Sequence, residues 1–166
     1  MFNLGSKDPV IGRASITIDS VPEEVFTFIG VDFFTNYPRW SPEVVELQAL
    51  TEGPVRLGSI ARQVRYDQGH RSESKFRVTV FEPGKTLCFM GEPDPYRCTY
   101  DMQSLNGGAT TRLTFTFELL ELLLFMRPFE KLIRVVVQDG AERITRNLKR
   151  LIEERIQSNA ASSAMP

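Results

Sequence analysis

Apolar and polar residues alternate from Val10 to Asp19, with Ala14, Ile16 and Ile18 on one side and Ser15, Thr17 and Asp19 on the other. This period of two is the mark of a strand with one wet face. Ser20-Val21-Pro22-Glu23 follows and reads as a capping box with proline in the first helical turn, so a short helix is predicted through Val25, Phe26 and Ile29 to about Gly30. The aromatic stretch DFFTNYPRWSP, residues 32–42, allows one more short helix before Pro38 interrupts it, and then an extended corner at Trp40.

Beyond that corner the chain is broken at short intervals by turn signals: Gly53-Pro54, Gly69-His70, Pro83-Gly84, Pro93-Asp94-Pro95 and Asn106-Gly107. They delimit strands at roughly 43–51, 58–67, 71–82, 85–91, 96–104 and 109–120, and the short links imply antiparallel neighbours. Asn106-Gly107 suits a type I′ hairpin, which needs positive φ at both central residues. From residue 125 the period changes. Phe125, Phe129, Leu132, Ile133, Val136, Gly140, Ile144, Leu148 and Leu151 recur mostly every three or four positions, which predicts one amphipathic helix over 125–157 that opens near Pro128. The order strand, helix, short helix, six strands, long helix is α+β, with the helices on one face of the sheet. Residues 1–9 read as an N-terminal extension, 10–157 as one domain, and 158–166 as a disordered tail with nothing to pack.

Alternation also assigns the sheet's inner face. It places Phe76, Val78 and Val80 inward on one strand, Tyr96, Cys98, Tyr100 and Met102 on another, and Leu113, Phe115 and Phe117 on the last. On 58–67, Arg62 shares parity with Ile60, Val64 and Tyr66. If that face is inward, a guanidinium enters the interior and needs an anionic partner, either a ligand carboxylate or phosphate or a neighbouring acid. The opposite facing remains open.

Composition narrows the function. The 166 residues suffice for one sizeable core. Lys and Arg number 20 against 21 Asp and Glu, a net charge of -1, which removes the broad attraction that nonspecific nucleic-acid binding needs. Two cysteines, Cys88 and Cys98, and a start without an apolar signal core point to a reducing cytoplasm and to free thiols. The most apolar stretch, Leu119 to Met126, contains Glu121 and is far too short to span a bilayer. His70 sits in a hairpin tip, a poor place to hold a catalytic base. One histidine and two cysteines match no zinc spacing, so neither a metal nor another cofactor is expected.

The sequence resembles the START and polyketide-cyclase (SRPBCC) superfamily, and within it the polyketide cyclase/dehydrase-like branch. The likeness is carried by the opening strand with SVPEEVFTFI, by NYPRWSPEVVE, TEGPVRLGS, VTVFEPGKTL, PYRCTYDM and GGATTRLTFTFEL, and by the last helix. It implies a helix-grip fold: a curved seven-stranded antiparallel sheet wrapped around the C-terminal helix, with two short helices after the first strand and a cavity between. The expected ligand contacts are Trp40, Arg62, Tyr66, Phe76, Tyr100, Phe115, Phe117, Phe129, Val136 and Gly140. Gly140 leaves room either for a ligand or for a sheet side chain such as Phe115. The LLELLLFMRPF junction is either an apolar gate, which would also suit transient membrane contact, or a buried start to the helix. The leading expectation is a noncatalytic carrier of a lipid, polyketide or isoprenoid-like molecule. A cyclase or aromatase is the second and a protein-interaction module the third. No catalytic residue is assigned, and oligomeric state is not legible.

Overall fold

The computed structural model describes residues 8–164. Seven strands form one antiparallel sheet: β1 (Val10–Ile18), β2 (Val44–Ala49), β3 (Ile60–Asp67), β4 (His70–Glu82), β5 (Thr86–Glu92), β6 (Tyr96–Leu105) and β7 (Thr110–Leu119). Their spatial order is β1-β7-β6-β5-β4-β3-β2, so β1 and β2 are the two edges. Every strand lies within a few residues of its expected place. The α+β architecture with a long C-terminal helix is therefore the one the sequence indicates.

Local chemistry differs from expectation in several places. Ser20 does not cap the first helix, α1 (Pro22–Phe26). Val21 occupies the N-cap, and the Ser20 hydroxyl donates instead to Glu24 Oε2 at 2.8 Å. A π-helical turn, Thr27–Val31, joins α1 to α2 (Phe33–Trp40), and Pro38 lies inside α2 rather than ending it. Asn106 and Gly107 both have positive φ, at 51° and 68°, but β6 and β7 close at Leu105 and Thr110, so the loop has four residues and not two. A bulge between Val78 and Val80 turns Phe81 inward, where its ring meets Phe26 at 5.1 Å. The inward position expected for Val80 thus passes to Phe81, because one extra residue reverses parity beyond it.

Helices α1 and α2 close one end of the sheet with an aromatic cluster. Phe33 stacks on Tyr37 at 4.7 Å, Phe76 meets Phe89 at 4.5 Å, and Trp40 is fully buried between Phe33, Tyr37 and Tyr100. Apolar rings of this size dominate the transfer free energy of a core, and edge-to-face contacts add to it.

After a 3-10 turn at Leu124–Phe129, helix α3 runs from Glu130 to Ala164. The expected tail from residue 158 is instead an exposed continuation of the helix as far as Ala164; residues 1–7 of the expected extension, with Met165 and Pro166, lie outside the described residues. In its middle, Ala141, Thr145, Leu148, Leu151 and Ile152 are buried, at the three- and four-residue spacing of a single face. Asn147 ties this face to α2 by donating from Nδ2 to the Trp40 carbonyl at 3.0 Å.

Among the strands, α3 packs chiefly on β1. Gly12 allows this, since a Cβ there would sit on the Val137 carbonyl. Beside it the Gln138 side chain accepts from the Arg13 N–H at 3.0 Å and donates to the Arg13 carbonyl at 2.8 Å. The helix is thereby pinned to one edge of the sheet. Its first turns do not lie over the middle strands, and that asymmetry leaves space between them.

Candidate functional site

The space is a cavity of about 510 Å³ whose walls expose more apolar than polar surface, although polar and charged residues line it too. Tyr100, Phe115 and Phe117 form its sheet wall, and Val136, Val137, Gly140 and Ile144 its helix wall. A dry void of this volume would cost about 12 kcal/mol at roughly 24 cal/mol per Å3, as much as a whole domain's stability. The cavity must therefore admit solvent, and it opens where the β3–β4 hairpin and the β5–β6 turn bring Asp67, Ser72, Glu73 and Asp94 to its rim.

Five of the ten residues expected to meet a ligand line this cavity: Tyr100, Phe115, Phe117, Val136 and Gly140. A Cβ at Gly140 would have nothing within 4 Å, so no sheet side chain packs into the room this glycine leaves. Trp40 and Phe76 belong to the aromatic core beside the cavity, on the same inner face of the sheet. Phe129 is 59% exposed and stands outside the lining.

Arg62 and Tyr66 require correction, because β3 faces the other way. Ala61, Gln63 and Arg65 point inward, and Arg62 lies on the outer face, bonded to Glu73 at 2.5 Å and Glu46 at 3.2 Å. Tyr66 is 47% exposed. Val64 is buried on the outer side but stands apart from the main core cluster.

The inward face of β3 carries a polar chain that composition and parity missed. Arg65 Nη1 donates to Tyr37 Oη and Ser41 Oγ, both at 3.3 Å, while Nε and Nη2 donate to the two oxygens of Asp67 at 3.1 and 3.0 Å. Tyr37 Oη donates to Gln63 Oε1 at 3.1 Å, and Gln63 Nε2 reaches Tyr96 Oη at 3.1 Å and Ser74 Oγ at 3.3 Å. From Ser41 the chain passes to Glu43, which pairs with Arg143 of α3 at 2.9 Å. Deeper in, Trp40 Nε1 donates to Tyr100 Oη at 3.2 Å.

Burial decides the charge states. Desolvation pushes the Tyr96 hydroxyl up to about 12 and also raises Tyr37, Tyr100 and the Cys98 thiol well above their ordinary values. All four are neutral at physiological pH. Burial works against the charge on Arg65, but Tyr37 and Asp67 outweigh it and the guanidinium stays protonated. The site can thus donate and accept hydrogen bonds, and none of its phenols can serve as a ready base.

Cys88 and Cys98 are free and buried on opposite faces, since Cys88 pairs with Thr99 and Phe89 with Cys98. His70 is exposed at the hairpin tip. Among the described residues no group of three or more His, Cys, Asp or Glu could hold a metal ion, and no helix is long and apolar enough to cross a membrane.

The LLELLLFMRPF junction is not a buried start to the helix. Leu123, Leu124 and Phe125 are 57–73% exposed, and Leu132, Val135 and Val136 continue the exposed apolar surface along α3.

Solved structures share this fold. The Zhui aromatase/cyclase of a Streptomyces species is 12% identical, with a TM-score of 0.72 over 90% of this chain and 96% of that one. A START superfamily protein of Mycobacterium smegmatis is 16% identical, with a TM-score of 0.69 over 87% and 97%. A Thermus thermophilus protein is 20% identical, with a TM-score of 0.63 over 86% and 96%. Identities this low speak to fold alone. A search of curated proteins finds no match. At the level of sequence, residues 10–153 match the family described as polyketide cyclase / dehydrase and lipid transport. With the wrapped sheet, the long helix and nearly the whole domain matched, the chain belongs to that polyketide cyclase/dehydrase and lipid transport family.

Proposed function

We propose that the protein binds and carries an apolar small molecule in the cavity between the sheet and the first turns of α3. The observation that carries this reading is Gly140: a helix position where alanine would be better by about 1 kcal/mol is kept open, and the opening faces Tyr100, Phe115 and Phe117 across the cavity. An apolar guest there removes its own surface and that of the walls from water, at roughly 25 cal/mol per Å2. The polar chain at one end supplies the few directional contacts that orient such a guest.

The test is to fill the space. A Gly140→Leu substitution is expected to abolish binding of an apolar fluorescent probe such as N-phenylnaphthylamine, while Gly140→Ala keeps most of it. Unchanged binding in a folded Gly140→Leu variant would end the proposal. A cyclase is the second reading. It draws on the Arg65–Tyr37–Gln63 chain, which could polarise a carbonyl of a folded reactive chain, and the neutral phenols count against it wherever a strong base is required.

A further inference from the structure

The direction of each hydrogen bond in the polar chain restricts what the cavity can hold. Arginine only donates, so Tyr37 Oη accepts from Arg65 and sends its single hydrogen to Gln63 Oε1. That fixes the amide: Nε2 must face Tyr96 Oη and Ser74 Oγ, and both accept from it. These two hydroxyls lie 3.2 Å apart, and one donates to the other. Whichever does so, the remaining hydroxyl hydrogen has no acceptor among the described residues, on side chains that line the cavity. Tyr100 repeats the logic. The Trp40 indole only donates, so Tyr100 Oη accepts from it, and the buried Tyr100 hydroxyl keeps its own hydrogen without an acceptor among the described residues.

Charge points the same way. Every guanidinium nitrogen of Arg65 is already engaged, by Asp67, Tyr37 or Ser41. Arg143 is held by Glu43. The remaining charged residues of the lining are Glu73, itself paired with Arg62 and Arg71, and Asp94, and among the described residues no further Lys or Arg lines it. A carboxylate or phosphate entering here would lose its hydration without gaining a free cation.

We infer that the cavity selects an uncharged ligand whose outstanding polar atoms are hydrogen-bond acceptors, ketone or quinone-type oxygens, and that it rejects anionic amphiphiles such as fatty acids. This rests on the carrier reading. It sets aside the ligand carboxylate or phosphate considered for an inward arginine, because the arginine that does face inward is satisfied by the chain's own Asp67.

The experiment compares acetylnaphthalene, ethylnaphthalene and naphthoate, substituted at the same ring position, by titration calorimetry with the full chain. Acetylnaphthalene is expected to bind at least about tenfold more tightly than naphthoate and about threefold more tightly than ethylnaphthalene. A Tyr100→Phe variant, which removes one unclaimed hydroxyl hydrogen and leaves the Gln63 amide its partners, is expected to reduce the preference for the ketone while keeping its affinity for ethylnaphthalene, which also reports that it is folded. Asp67→Asn, which releases Arg65, is expected to improve naphthoate binding about tenfold and to leave acetylnaphthalene nearly unchanged. Naphthoate matching acetylnaphthalene in the unmodified protein would overturn the inference and leave the carrier reading standing. So would equal affinity for the ketone and the hydrocarbon. If none of the three binds, both fall together.

Discussion

The two halves of α3 carry similar apolar spacing and meet opposite fates. Around Leu148 the stripe is sealed against the sheet and α2, with Leu148 fully buried and Ile152 at 2% exposure. Around Leu132 the same kind of stripe stands open, with Leu132 62% and Val135 55% exposed. The helix is continuous, so the difference lies in what faces it. The aromatic plug of α1 and α2 fills one end of the sheet, and the Gly12 and Gln138 contacts draw the other end of the helix onto β1, away from the middle strands. One half contributes stability and the other contributes space.

That division can be broken by substitution. Leu148→Ala should have the largest effect, a loss of about 2–5 kcal/mol in chemical denaturation, because it leaves a void in a closed core. A loss below about 1 kcal/mol would show that this half is not sealed. Gly12→Ala should follow, with a loss of about 1–3 kcal/mol as the new methyl group pushes Val137 and the helix off β1; calorimetric melting would detect it, and probe binding should change with it.

Smaller effects sharpen the contrast. Arg97 and Glu118 form a two-pronged pair across β6 and β7, with bonds of 2.6 and 2.9 Å. The hydrogen bond from Arg97 lowers the Glu118 pKa below 4.5 in the folded chain. The sign follows: the pair's stabilisation is fully present above 4.5 and is lost as pH falls through the folded value. Arg97→Met should therefore cost about 0.5–1 kcal/mol at neutral pH, the modest figure suited to a screened pair, and should cost less in acid. A difference independent of pH would remove this account. Gly140→Ala should raise stability by about 1 kcal/mol, since the methyl group enters open space. A decrease would mean that the cavity wall is tighter than its geometry.

The seven strands and the long helix were legible because turn residues punctuate the chain and the hydrophobic period changes after Leu119. What each stripe faces was not. Periodicity treats Leu132 and Leu148 alike, and only tertiary contacts separate them. The facing of β3 went astray because Ile60 and Val64 look like core residues while Gln63 and Arg65 do not. A local signal was nonetheless present. Gln68 and Gly69 form a two-residue turn with φ of 51° and 81°, which pairs Asp67 with His70 and therefore Ala61 with Phe76. Since Phe76 faces inward, so must Ala61, Gln63 and Arg65. The cavity-lining Tyr37 was hidden for a different reason: it comes from a helix whose course past Pro38 the sequence did not foretell.

The Gln138 clamp has a consequence for how molecules of this protein meet one another. β1 is an outer strand, and its unpaired amide groups could template the addition of a foreign strand. At Arg13 both of those groups are already taken by an amide side chain of the molecule's own helix. Intermolecular sheet growth along this border is thus interrupted at its midpoint, and the protein gains protection against aggregation from the same contact that shapes its interior.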